Sequence, residues 1–221
     1  MSGSIPVIAI DGPTASGKGA IAHRVADALN WHYLDSGALY RISAFVALQM
    51  STDLDDEFAL ANLASQLKPR FVADQIFLEE IDLSLAIRAE HVGAAASKIA
   101  VFPAVRAALF DLQRSFLRSP GLVADGRDMG TVVFPEAKVK VFLTASAEIR
   151  AQRRYKQLIE KGFSANLPAL LADLQQRDER DANRATAPLK PAEDAMLVDS
   201  SALTIEEVVN TVLWAWQQRK V

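Results

Sequence analysis

The chain has 221 residues, of which 50% are hydrophobic and 23% charged, with a formal net charge of −3 and no cysteine. That length supports one good core, or a core with a small insert. The lack of cysteine excludes disulfides, zinc–thiolate sites and a cysteine nucleophile, and the negative balance argues against broad binding to nucleic acid or membrane surfaces. Met1-Ser2-Gly3-Ser4 has neither a basic start nor a long apolar core, so no signal peptide is expected. No apolar run approaches the roughly 18 residues of a membrane span.

The apolar run 5–10 predicts a strand, and residues 20–29 predict a helix. Between them lies Asp11-Gly12-Pro13-Thr14-Ala15-Ser16-Gly17-Lys18-Gly19. A strand, a glycine-rich turn and a helix start in that order collect free backbone N–H groups and the positive end of a helix dipole at one point. Such a loop cradles a polyphosphate, with Lys18 reaching the outer phosphates. The spacing fits G-x-x-x-x-G-K-[ST] except at its last position, where Gly19 stands and Ala20 follows. An ordinary Gly/Pro-rich connection is the alternative.

Residues 31–34 read as a short strand ending at Asp35-Ser36-Gly37, followed by helices at 38–49 and 55–67. Ser36 opens a helix either as an anion-receptive end or as a simple N-cap. Capping does not account for Arg41, one turn further on. From 70 to 88 the pattern breaks into β-prone pieces at 71–72, 76–78 and 83–87, which predict a small antiparallel insert. Ala-rich helices are expected at 91–100 and 103–118.

The strand 122–124 ends at Asp125-Gly126-Arg127-Asp128-Met129-Gly130. Asp125 stands where P-loop enzymes carry the acidic residue that helps hold Mg²⁺, directly or through water. Arg127 and Asp128 extend past the strand, where ligands of open α/β sheets bind; a turn with a surface ion pair is the alternative. After a strand at 139–143, a helix carries Arg150, Arg153 and Arg154. On the next helix an apolar stripe of Leu167, Leu170, Leu171 and Leu174 continues as Arg177, Arg180/Asp181 and Arg184. That switch suits a helix overhanging a phosphate-filled cleft, or else a solvated charged end. A strand at 196–198 precedes a closing helix with Ile205, Val208, Val209, Val212, Leu213 and Trp216 at helical spacing. The alternation as a whole predicts an α/β fold, a P-loop NTPase-type central parallel sheet flanked by helices. His23, His32 and His91 join none of these groups and read as structural or surface residues. A phosphate acceptor would need no general base, because its second pKa is about 6.

Several of these stretches together resemble bacterial cytidylate kinases. They are Ile10-Asp11-Gly12-Pro13, Gly17-Lys18-Gly19, Leu34-Asp35-Ser36-Gly37-Ala38-Leu39-Tyr40-Arg41, the run from Ala124 to Pro135, and Arg177-Asp178-Glu179-Arg180-Asp181-Ala182-Asn183-Arg184. The resemblance implies transfer of the γ-phosphate of ATP to CMP or dCMP with Mg²⁺, held by Asp125. It implies a single kinase domain, with core 1–67, a small antiparallel monophosphate-binding insert at about 68–99, core 100–221 and a helical lid at about 153–166. ATP would be bound by Gly12, Pro13, Thr14, Ala15, Ser16, Gly17, Lys18, Gly19, Ala20 and Arg153. Ser36, Arg41 and Arg127 would hold the CMP phosphate, while Ser97, Arg106 and Asp128 would read the cytosine edge. Arg177, Asp181 and Arg184 would meet the sugar and phosphates as the lid closes. Lys18, Arg127, Arg177 and Arg184 would be the catalytic residues. A cytoplasmic monomer is expected, with ATP and CMP or dCMP as its partners and no nucleic acid or membrane. Two departures stand out: Ala20 where the family usually has Thr, and a short insert between Glu79 and Ser84 where a longer, glycine-bearing turn is expected. A kinase for another acceptor, such as UMP or shikimate, and a non-catalytic nucleotide-binding module are the competing readings.

Overall fold

The computed structural model describes residues 5–72, 75–160, 162 and 164–219. The N-terminal segment 1–4, Ala73 and Asp74 of the expected insert, and Lys161 and Phe163 of the expected lid lie outside the described residues. In chain order the elements are β1 (Val7–Asp11), α1 (Lys18–Leu29), β2 (His32–Asp35), α2 (Ser36–Gln49), α3 (Glu57–Ser65), β3 (Pro69–Val72), β4 (Gln75–Leu78) and β5 (Ile81–Asp82). They continue with α4 (Glu90–Ile99), α5 (Pro103–Arg114), β6 (Leu122–Gly126), β7 (Val139–Thr144), α6 (Ala147–Glu160), α7 (Leu167–Ala182), β8 (Met196–Asp199) and α8 (Ile205–Arg219). A 3-10 turn spans Ala86–Arg88 and a π-helical turn spans Met129–Val133. The chain divides into two compact units, residues 1–34 with 116–221, and residues 35–115.

The first unit is built on a five-stranded sheet in the order β2-β6-β1-β7-β8. β1 runs parallel to both β6 and β7, and β7 parallel to β8. Every residue of β1 and of β6 is buried, which suits parallel strands covered on both faces. The register pairs Ile10 with Asp125 and Asp11 with Gly126, so the acidic residues at the ends of β1 and β6 lie one position apart on neighbouring strands. Ile8, Ile10, Ile21, Val25, Val123, Val141, Leu143, Val208 and Val212 fill the core.

α8 begins with a reciprocal cap: the Glu207 N–H donates to Thr204 Oγ1 at 3.2 Å, and the Thr204 N–H donates to Glu207 Oε2 at 2.8 Å. Four of its expected stripe residues are buried: Val208, Val209, Val212 and Trp216. The Trp216 ring meets Trp31 edge to face at 4.8 Å. Removing a buried indole of this kind costs about 3–5 kcal/mol. Trp216→Ala is therefore expected to lower the urea midpoint sharply; a midpoint within error of the parent would refute this account of the core.

In the second unit α2 packs on α4 and α3 on α5, alongside an antiparallel sheet β3-β4-β5. Leu39, Ile42, Leu60, Ile99 and Leu109 are buried there. The short connection between β4 and β5 is made by Glu79 and Glu80, with Glu79 itself in the left-handed region at φ 53°.

Several boundaries differ from the sequence expectation. Residues 83–87 are not a strand; β5 ends at Asp82, whose carboxylate accepts the Ser84 N–H at 2.8 Å and turns the chain. The Ile87 N–H then donates to Leu83 O at 3.1 Å, a helical contact. α5 ends at Arg114 rather than 118, and α1 begins at Lys18 rather than at 20. No single helix among the described residues is long and apolar enough to cross a membrane.

Candidate active site

The glycine loop is shaped by close approach and by handedness. Gly12 has φ +155°, and a Cβ on it would run into the Leu143 carbonyl of β7. Gly17, at φ +94°, is the N-cap of α1, which lets Lys18 take the first helical position. Between them Ala15 sits at φ +61°, a left-handed conformation that a residue with a side chain rarely adopts.

Lys18 is only 8% exposed. Its ammonium donates to Pro13 O at 3.1 Å and lies 3.9 Å from Asp125 Oδ1. Two guanidinium groups of α6 hold the loop's carbonyls. Arg150 Nη1 donates to Thr14 O at 3.0 Å and to Asp178 at 3.1 Å on α7. Arg153 Nη1 donates to Ser16 O at 3.2 Å and to Ser200 Oγ at 3.0 Å. Those arginines hold the loop's carbonyls in place, and the Ser16 N–H donates within the loop to Pro13 O at 3.4 Å. Arg154, expected beside them, instead faces Gln157 on its own helix at 2.7 Å.

Arg127 links α7 to the loop. Its Nε donates to Asp181 Oδ2 at 2.9 Å and its Nη2 to Thr14 Oγ1 at 2.6 Å. Burial opposes the Arg127 charge, but the carboxylates of Asp181, Asp125 and Asp11 outweigh it and hold the guanidinium more firmly protonated. Burial likewise pushes Asp181 up, and the charges of Arg127 and Arg184 overcome it and hold that carboxyl below the usual range.

Arg184 lies just past the end of α7, with Nη2 3.9 Å from Asp181 Oδ1, and Arg177 Nη1 lies 3.6 Å from Asp173. Arg177, Asp181 and Arg184 are all buried, at 6%, 6% and 7% exposure, while Leu167 at the apolar start of α7 is 36% exposed. The burial of Leu174, at 2% exposure, thus continues along the same face through Arg177, Asp181 and Arg184, which rules out a solvated charged end on that face.

In the second unit Asp35, not Ser36, caps α2, accepting the Ala38 N–H at 2.9 Å. Ser36 is buried and its hydroxyl accepts from Gln113 Nε2 at 2.9 Å. Arg41 Nη1 donates to Ile87 O at 3.0 Å. Arg106 is buried, donates to Ala100 O at 3.4 Å and lies over the Tyr40 ring at 5.9 Å. The Ser97 hydroxyl is buried with no hydrogen-bond partner among the described residues. A buried hydroxyl left unpaired calls for a partner, and a polar ligand is one candidate.

Three residues at these positions escaped sequence reasoning. Gln113 follows Val105, Arg106 and Leu109 on the buried face of α5, so its amide counts as a core position only once the packing is known. Tyr33 carries no motif at all. Asp11 did carry a signal, because it ends an otherwise apolar strand. Its carboxylate accepts the Met129 N–H at 2.7 Å and the Gly130 N–H at 2.8 Å. Those donors open the π-helical turn, in which Asp128 O accepts from Val132 and Val133 at 2.9 and 3.1 Å. Asp11 therefore pins the segment carrying Arg127 and Asp128, and Asp128 is 3% exposed.

Burial drives the Asp11 carboxyl up from 3.8 to about 6, against the Gly130 and Met129 N–H groups, which lower it. A carboxyl raised by about 2 units is about 3 kcal/mol easier to bury protonated than charged. Between pH 3.8 and about 6 the folded chain holds more of this proton than the unfolded one, so this contribution to stability falls as pH rises through that window. Asp11→Asn is expected to abolish that fall, so that parent stability minus variant stability drops by about 3 kcal/mol across the window. A pH series of urea melts that shows a constant difference would refute it.

Asp125 fits a magnesium site. It is a buried hard-oxygen donor beside the loop, and Mg²⁺ is commonly bound by one or two carboxylates plus substrate phosphates. Among the described residues no group of three or more His, Asp or Glu side chains converges, and such a site requires none.

A sequence profile described as cytidylate kinase matches residues 8–218. The chain is 60% identical over 213 residues to a protein of Ralstonia nicotianae named cytidylate kinase, covering 96% of this chain and 93% of that one. It is 58% identical over 216 residues to a cytidylate kinase of Bordetella bronchiseptica, covering 98% and 97%. Among solved structures it is similar in fold to an uncharacterized protein of Eubacterium ventriosum (TM-score 0.55, 8% identity, 97% and 99% covered). A gluconokinase of Sinorhizobium meliloti is similar at TM-score 0.50 and 14% identity, with 98% and 94% covered.

Proposed function

The chain belongs to the cytidylate kinase family, and on that premise we propose that it transfers the γ-phosphoryl group of ATP to CMP or dCMP, releasing ADP and CDP or dCDP. The observation that carries this reading is the linked set of Lys18, Asp125, Arg127 and Asp181 around the glycine loop. It contains cations for phosphates and no histidine. A monophosphate acceptor supplies its own anionic oxygen near neutral pH, since its second pKa is about 6. Catalysis then consists of alignment and charge neutralisation, with no general base.

Lys18 stabilises the charge that spreads over the transferring group, and the loop N–H groups hold the ATP phosphates with Arg153 behind them. Ser36, Arg41 and Arg127 take the acceptor phosphate. Ser97, Arg106 and Asp128 read cytosine, and the unpaired Ser97 hydroxyl supports that assignment. Arg177, Asp181 and Arg184 meet the sugar and phosphates. Asp125 would hold magnesium, directly or through water, and the ion would supply charge neutralisation at the phosphates. Residues 68–99 act as the monophosphate-binding insert and 153–166 as a lid that excludes water. The enzyme acts as a cytoplasmic monomer.

The test is ADP release from ATP and Mg²⁺ with CMP, dCMP, UMP or no acceptor. Rapid release with CMP and dCMP alone is expected. Equal release with UMP would defeat the cytidylate assignment, and release without any acceptor would defeat phosphoryl transfer to a nucleotide.

A further inference from the structure

Position 19 is where the phosphate-loop pattern carries the Ser or Thr whose hydroxyl serves the metal. Here it is Gly19, and Ala20 after it offers no hydroxyl either. The fold brings a hydroxyl to this place from another element. Tyr33, on β2, is half-buried, with its ring edge-on to His23 of α1 at 5.5 Å. Its hydroxyl donates to Asp125 Oδ2 at 3.4 Å. A Cβ built on Gly19 would lie 3.7 Å from the Tyr33 oxygen and 3.2 Å from Asp125 Oδ2. A side chain at 19 would thus begin in ordinary contact with the phenol oxygen and slightly too close to the carboxylate, so both groups line the place where the pattern's hydroxyl would stand. The missing side chain and the arriving tyrosine complement each other.

We propose that Tyr33 is a positioning residue, whose hydroxyl replaces the one missing at Gly19 and orients the Asp125 carboxylate toward the metal and the nucleotide phosphates. Asp125 then has Lys18 near Oδ1 and Tyr33 on Oδ2, so both carboxylate oxygens are restrained. Groups that hydrogen-bond a metal-holding carboxylate are commonly worth 10–100-fold in metal affinity, about tenfold for a single long bond. The proposal rests on the phosphoryl-transfer reading above.

Tyr33→Phe tests it, because the ring and its contact with His23 remain while only the hydroxyl goes. Binding of a fluorescent N-methylanthraniloyl derivative of ATP is followed while Mg²⁺ is titrated, and again in EDTA. The Mg²⁺ midpoint is expected to rise about tenfold. Binding in EDTA and the KM for CMP are expected to stay within about twofold, since neither uses the Asp125 carboxylate through this bond. An unchanged Mg²⁺ midpoint would overturn the proposal. So would an equal loss of affinity with and without Mg²⁺, which would make Tyr33 a packing residue. A parent protein whose nucleotide binding and turnover ignore Mg²⁺ would instead overturn the phosphoryl-transfer reading itself.

Discussion

Lys18→Ala is expected to lower turnover by about 10²–10³-fold or more while the protein stays folded. Lys18 sits at the N-terminus of α1 with its ammonium on Pro13 O and near Asp125, at the mouth of the glycine loop. In phosphoryl transfer charge spreads over the equatorial oxygens of the moving group, so a fixed cation there acts on the transition state more than on bound ATP. The loss should therefore fall on kcat, with a smaller effect on the KM for ATP. Some stability should also be lost, because the substitution takes a cation away from the buried Asp125 carboxylate. A coupled ADP assay and a thermal melt check both parts. A folded variant with near-parent turnover would remove the phosphate-loop reading.

The second large effect concerns base choice. Cytosine presents an amino donor at N4 and an acceptor at N3, whereas uracil presents a carbonyl at O4 and a donor at N3. Ionised Asp128 can only accept and Arg106 can only donate. Under the proposed assignment, the two residues suit cytosine and oppose uracil at both positions. Leaving such groups unpaired costs roughly 1–3 kcal/mol each, more when charged, and sites of this kind discriminate by up to about 10⁴–10⁵. Asp128→Asn is expected to narrow the CMP/UMP ratio of kcat/KM by at least about tenfold, chiefly through lost CMP activity, because an amide can turn to donate to O4. Steady-state kinetics with both nucleotides decide it. A variant that keeps the whole CMP preference shows that Asp128 does not read the base.

Asp128 also shows where sequence reading stops. Its neighbours in the chain, a buried strand followed by Asp-Gly-Arg-Asp-Met-Gly, point to a strand end that faces a ligand, with a turn carrying a surface ion pair as the alternative. The backbone that follows Asp128 is held by Asp11, which accepts the Met129 and Gly130 N–H groups, is 117 positions away from Asp128 in the chain and comes close only through the register of β1 with β6. The same holds for α7. Periodicity placed Arg177 and Asp181 on the face of Leu174, but could not say whether that face was wet. The buried links of Asp181 to Arg127, and of Arg127 to Thr14, decide that it is not.

What the sequence by itself determined are the features written in local order: the strand–glycine loop–helix junction, the parallel α/β alternation, the closing amphipathic helix and the family motifs. Each depends on neighbouring residues and on backbone preferences that act within a few positions. What only the tertiary structure decided are the partners of the charged groups. Arg150 and Arg153 hold carbonyls of the loop, Asp35 rather than Ser36 caps α2, and Gln113 meets Ser36. Tyr33 reaches Asp125 beside Gly19. Most of these contacts join residues far apart in sequence, and a charged side chain's role follows from the one partner and the degree of burial it finds after the chain has folded.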